Sequence, residues 1–289
     1  MDNELIIHLL EDPIEDGNFR TKNAAGERFR TLLVDRGNEL VTKVGIVGIT
    51  HGTLTGSDDP ATLLVFEFRF VATGGRRFIR AKVTLLFEDS EGERSNDPEV
   101  LHILPEGKYA LNKTERVWST KWSVNAGANG GVEAARGEVG LVWEREETKR
   151  REFFTSLSGM KRVIRNDWVG PENAVVWTFE ENRQQEDGIP TFARAAVLLK
   201  RVDDVPFSFN VKVNTDVDFI GKVKTLFGME RKDPIDPVEV DPARQPRAGQ
   251  VCSLDPEKHD LTKLDKVLDE AVEVLVVTVL DGASLTGSD

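Results

Sequence analysis

From residue 28 to residue 219 apolar and polar residues alternate one by one, in runs bounded by glycine, proline, asparagine and aspartate. A period of two is that of a strand with one buried face and one wet face, whereas a helix would repeat every three to four residues. The pattern predicts an all-β chain of about ten or more mostly antiparallel strands, enough for a two-sheet β-sandwich.

The clearest stretch runs from Leu63 to Glu88, where Leu64, Phe66, Phe68 and Phe70 fall on one face and Val65, Glu67 and Arg69 on the other. After Thr73-Gly74-Gly75 the next run sets Ile79, Ala81, Val83, Leu85 and Phe87 in alternation with Arg80, Lys82 and Thr84. Two such runs joined by glycines predict a long hairpin. A second pair is predicted for Val117–Val124 with Glu138–Glu144. A third joins Ala174–Glu180 to Phe192–Arg201, with Phe207–Val213 as a neighbour that begins after Pro206. Further strands are expected at Leu5–Leu10, Phe29–Val34 and Leu40–Ile49.

The pattern ends near Gly228, so a sandwich body is predicted over residues 1–228, with a split into two sub-domains near 90–100 left open. Four prolines among acids then mark residues 229–254 as a proline-rich acidic linker or surface strap. Asp255-Pro256 has the form of a helix start, and Leu261, Leu264, Leu268, Val272, Leu275 and Val279 follow at steps of three and four. These predict an acidic segment over 255–289 containing a C-terminal amphipathic helix. The β-branched residues Val272, Val274, Val276 and Val277 support a strand at its end instead.

Charge is divided in the same way. The chain carries a net charge of -12, and residues 233–289, with 13 acids and five bases, hold -8 of it, leaving -4 on the rest. An acidic tail on a near-neutral body argues against nucleic acid as a partner. The start of the chain lacks the basic flank and long apolar run of an export signal. Val272–Leu280 has nine residues, short of the roughly 20 a spanning helix needs. With a single cysteine, Cys252, these features predict a soluble protein of the cytoplasm.

No constellation of catalytic type stands in the sequence. Gly45 to Gly52 lacks the spacing of a nucleotide loop. His8, His51, His102 and His259 form no close pair, and Cys252 has His259 seven residues on without an orienting group. The acidic loops Glu88–Glu99 and Asp233–Asp241 match no calcium loop. No cofactor or metal is called for. Two features single out residues for binding. Trp118, Trp122, Trp143 and Trp177 lie on strands and are candidates to line a ligand pocket, with core packing as the alternative. Lys149, Arg150, Arg151, Lys161, Arg162 and Arg165 fall within 17 residues that contain one acid, Glu152. They are candidates for a face that receives anionic lipid or the chain's own acidic tail, with a solvated surface as the alternative. A second basic group is Arg69, Arg76, Arg77, Arg80 and Lys82.

At Ile103-Leu104-Pro105-Glu106-Gly107, Val176 to Asn182 and Gly188-Ile189-Pro190 the chain resembles uncharacterised all-β proteins of filamentous fungi, over about residues 99–228. The resemblance implies no activity and supplies no catalytic residues. Three function classes therefore stand. The first is a non-enzymatic interaction or ligand-binding sandwich, its partner a protein or a small molecule. The second is a membrane-acting, pore-forming-like protein held inactive by its tail, motivated by the length and alternation of the 63–88 hairpin. The third is an enzyme whose pocket is built from residues far apart in sequence.

Overall fold

The computed structural model of the protein describes residues 23, 25–37, 40–125, 142–165, 169–219, 222–226, 236–244, 251–271 and 276–277. Its strands are β1 (Leu32–Arg36), β2 (Leu40–Thr53), β3 (Pro60–Ala72), β4 (Phe78–Asp89), β5 (Glu99–Leu104), β6 (Gly107–Asn125) and β7 (Val142–Arg162). They continue as β8 (Ala174–Glu180), β9 (Phe192–Lys200), β10 (Phe207–Phe219), β11 (Lys222–Leu226), β12 (Val238–Val240) and β13 (Val276–Val277), with one helix, α1 (Leu264–Ala271), before β13. The strand expected at Leu5–Leu10 lies outside the described residues.

The strands form two antiparallel sheets. Sheet A runs β1-β2-β3-β9, and the far side of β9 is shared by β5 and β13. Sheet B runs β4 between β10 and β8, then β7 and β6, with β11 and β12 sharing the far side of β10. The all-β sandwich follows directly from the period-two pattern, and the short C-terminal helix from the three-to-four spacing of Leu261, Leu264 and Leu268.

Which strands neighbour one another does not. The expected hairpin over Leu63–Glu88 is absent: β3 bonds to β2 and β9 in sheet A, while β4 bonds to β10 and β8 in sheet B. The third expected pair fails in the same way, because β8 belongs to sheet B and β9 to sheet A, and β10 lies beside β4. The physical reason is that alternation specifies only which face is buried. Two successive apolar rows are buried as well by facing each other across a sandwich as by lying side by side. Gly74 and Gly75, at φ 66° and 72°, let the chain turn from one sheet to the other.

The core sits between the sheets. Phe66, Phe68 and Phe70 of β3 are 0–1% exposed and meet Trp177, Phe179, Phe209 and Phe78 of sheet B at ring-centroid distances of 5.3–6.5 Å. Burial of each such ring contributes about 2–3 kcal/mol. The Trp177 indole N–H, which burial would otherwise leave without a partner, donates to the Pro105 carbonyl at 3.1 Å.

Sheet A is apolar on part of its outer face too. Ala61, Leu63, Ala196 and Leu198 form a second cluster with Leu264 and Leu268 of α1, and Val65 packs against it. The chain reaches this position by crossing the molecule. Val238 and Val240 of β12 enter the main core, and Cys252 then bridges Gly48 through Cys252 N–H to Val47 O and Ile49 N–H to Cys252 O, both 2.9 Å. Asp255-Pro256 starts a turn rather than the helix, the Asp255 carboxylate accepting from Glu257 N–H at 3.0 Å. A 3-10 turn over Leu261–Lys263, capped by Asp260, leads into α1, and the strand reading holds for Val276–Val277.

Candidate functional site

The most distinctive element is the β6–β7 pair, the second hairpin expected from sequence and longer than the alternation indicated. Its register runs from Gly107↔Gly159 to Asn125↔Val142, with an irregularity between Leu111 and Thr114. β8 bonds only to Ser156–Arg162 of β7. Beyond that, Thr114–Asn125 and Val142–Phe153 pair with each other as a two-stranded ribbon of about 40 Å, at roughly 3.4 Å per residue. Among the described residues β6 has β7 as its sheet neighbour on one side and no strand on the other, so its outer edge offers backbone N–H and C=O groups for pairing.

The tryptophans divide. Trp118, Trp122 and Trp143 stand on the ribbon, at register positions opposite Lys149, Arg145 and Val124. Trp177, opposite Gly159, is fully buried between the sheets. Lys149 and Gly159 are ten residues apart along β7, about 33 Å, so Trp177 and the ribbon tryptophans do not line one pocket. The basic residues divide likewise. Lys149, Arg150 and Arg151 are ribbon positions. The Lys161 ammonium donates to the Leu101 carbonyl at 2.9 Å, Arg162 is exposed, and Arg165, 10% exposed, pairs with Asp97 at 3.2 Å and donates to the Pro171 carbonyl at 3.1 Å.

The second basic group is largely neutralised within the body. Arg80 pairs with Asp216 at 2.9 Å, and Arg69 meets Glu67 at 3.4 Å and lies over the Phe192 ring. Arg77 holds Glu181, Glu186 and Asp218 at 3.0, 3.3 and 2.6 Å, tying the β3–β4 turn to β10 and the loop after β8. Burial pushes the Glu181 carboxyl above the usual range, against the pull of Arg77. This hub acts as a structural clasp rather than a receiving surface.

Among the described residues a cleft opens on the outer face of each sheet. The larger, about 830 Å³, lies on sheet B between Glu88, Ser208 and Asn210 and the loops carrying Asp89, Ser90 and Asp97. Two of its acids are engaged: Asp89 accepts from the N–H groups of Glu91 and Glu93 at 2.9 and 3.0 Å, and Asp97 accepts from Asp89 N–H and Arg165. The buried Ser90 hydroxyl has no partner, hence no base to activate it. The smaller cleft, about 500 Å³ on sheet A, contains Lys43, Glu67, Arg69 and the exposed Cys252. These surfaces offer hydrogen bonds and charge.

From sequence His51 stands only as one of four histidines that form no close pair. Its Nδ1 lies 2.9 Å from Thr62 Oγ1, its Nε2 is buried without a partner, and burial, aided by the Arg201 charge, pulls its pKa down to about 4. Its position at the end of a strand, facing two other elements, has no local signature. His102 is exposed on β5, His259 lies in the turn before α1, and His8 lies outside the described residues. Among the described residues no group of three or more His, Cys, Asp or Glu side chains could hold a metal ion, and no helix is long and apolar enough to cross a membrane.

Fold and surface together define an antiparallel two-sheet β-sandwich that carries a long ribbon and open polar clefts. No family model and no curated protein matches the sequence. Among solved structures it is similar to the membrane-inserted form of the Clostridium perfringens NetB toxin, at 7% identity and a TM-score of 0.26, over 65% of this chain and 83% of that one. It is similar also to a structure described as a pore forming protein, at 8% identity and a TM-score of 0.27, over 65% of this chain and 81% of that one. Superposition at that level transfers nothing to this chain.

Proposed function

We propose that this chain is a non-enzymatic interaction protein whose β6–β7 ribbon docks a partner protein by strand addition to its open edge. The observation that carries the reading is the ribbon itself. A 19-residue edge strand, paired on one side and continued well past the end of β8, presents backbone groups that natural sheets otherwise cover or interrupt. In the larger cleft Asp89 and Asp97 are held by backbone N–H groups and Arg165, which favours a binding role for them over acid–base chemistry.

A second reading, a membrane-acting protein, is favoured by strand length. Twelve paired residues exceed the roughly 9–11 of a membrane-spanning strand. Its original motive is gone, since β3 and β4 are core strands of opposite sheets. The ribbon register opposes it as well. A spanning hairpin needs one apolar row across both strands. One row here sets Trp118, Thr120, Trp122 and Val124 opposite Lys149, Glu147, Arg145 and Trp143. The other sets Val117, Ser119, Lys121 and Ser123 opposite Arg150, Thr148, Glu146 and Glu144. Each charge at the lipid-facing midplane would cost about 2–4 kcal/mol for a base and less for an acid.

The test compares the full chain with a variant in which residues 114–153 are replaced by Asn-Gly. Immobilised samples are exposed to cell extract, and dye leakage is followed from vesicles containing anionic lipid. Proteins retained by the full chain and lost with the ribbon, with vesicles intact in both arms, are expected. Equal retention by both chains overturns the reading, and leakage that depends on the ribbon replaces it with the membrane one.

A further inference from the structure

The end of β2 is where the C-terminal segment is fastened. Thr50 Oγ1 accepts from Leu254 N–H at 2.9 Å and lies 3.5 Å from Ser253 Oγ. At Gly52 the chain passes so close that a Cβ would overlap the Leu261 carbonyl and sit 3.0 Å from Leu264 Cγ. Asp265 of α1 accepts from both the N–H and the hydroxyl of Thr55 at 2.8 Å. What these contacts hold down is the cover over Ala61, Leu63, Ala196 and Leu198.

His51 lies in the middle of this stretch. Register pairs it with Thr62, as it pairs Ile49 with Leu64, so His51 lies on the inner face of sheet A with Leu64 rather than on the face under the cover. The groups acting on it come from three elements: Arg201 at the end of β9, Asp204 in the loop that follows, and Asp241 just after β12. Arg201, 4% exposed, is held by the Asp203 carbonyl and the Asp204 carboxylate at 3.0 and 2.7 Å, and its Nε, like His51 Nε2, is buried without a partner. A proton added to His51 would place a second cation beside Arg201 and a buried N–H donor with no acceptor.

The geometry points to an acid-sensitive latch, in which protonation of His51 displaces the Thr50–Thr55 end of β2 and so releases residues 251–271 from the outer face of sheet A. The sign follows from proton binding. A free imidazole titrates near 6.5 and the packed one near 4, so the released state binds more protons between those values. The latch is closed above about 6.5 and weakens progressively as pH falls toward about 4. Asp265, which holds Thr55, keeps a carboxyl below its ordinary range, despite burial, through those bonds, and so stays ionised across that window.

The measurement is fluorescence of an apolar dye with the full chain from pH 7.5 to 3.5, with far-UV circular dichroism on the same samples. Dye binding is expected to rise several-fold with a midpoint between 4 and 6.5 while the strand signal persists, and His51→Gln should lose that rise. Asp265→Ala, which leaves His51 in place, should move the midpoint to higher pH. An unchanged midpoint in either variant, or loss of strand signal together with the dye rise in the parent chain, overturns the latch.

Discussion

Gly159 shows how much of this fold rests on single atoms. It stands opposite Trp177 in the register, and a Cβ there would overlap the Pro105 carbonyl and sit 2.9 Å from the Trp177 ring. That carbonyl is also the acceptor for the indole N–H. The missing side chain is therefore what lets the β5–β6 turn approach a buried tryptophan across β7. Gly159→Ala is expected to destabilise the chain by about 1–3 kcal/mol, the range for overpacking a rigid site, and urea unfolding measures it. A loss below about 0.5 kcal/mol would mean that the turn can move away without cost. The sequence does not announce this, because a glycine inside a strand reads only as a weak spot. The phenylalanine row of β3, by contrast, is fully legible: a two-residue period of large apolar side chains has no stable place other than a core. Trp177 was legible as buried and ambiguous as pocket or core, and its partners, Phe66, Phe68 and Pro105, place it in the core.

At the scale of elements, alternation identified β2, β3, β4, β8, β9 and β10 but misassigned two pairings, β3 with β4 and β8 with β9. Neighbour choice depends on contacts between residues far apart, such as Ala61 with Lys200 or Phe207 with Asp89, and no local window contains them. The β6–β7 pair was found because its strands are adjacent both in chain and in sheet. The way the ribbon joins the body carries a prediction. Since β8 bonds to β7 only over Ser156–Arg162, replacing 114–153 with Asn-Gly removes bonds internal to the ribbon and leaves the Leu157–Phe179 and Gly159–Trp177 pairings intact. The melting temperature of that variant is expected to stay within about 4 °C of the parent, a shift that for a chain this size corresponds to about 1–2 kcal/mol. A larger fall would show that the ribbon is part of the cooperative unit, and loss of partner binding in that variant would then no longer report on docking alone.

The whole molecule poses the question of what residues 229–289 are for. Proline spacing and charge describe them as linker and tail, and these features are blind to where such a segment lands. In the structure β12 lengthens sheet B, Cys252 takes up the free edge of β2 beyond β1, and α1 roofs the outer face of sheet A. Val238 and Val240 are 1% and 3% exposed, and Leu264 and Leu268 are 0% and 3%. A chain ending at Gly228 forfeits those four side chains and uncovers Leu63 and Leu198, six residues at about 1.5–3 kcal/mol each. The sum, on the order of 10 kcal/mol, matches the entire stability of an ordinary domain. The truncated chain is therefore expected to be insoluble or to melt far below the parent, read by size-exclusion chromatography and thermal scanning. A soluble, cooperatively melting chain would instead make the segment a removable cover. In the intact protein acid acts on only part of this segment: β12 keeps Val238 and Val240 in the main core, so release of 251–271 from Thr50, Gly52 and Thr55 is expected to leave both sheets standing.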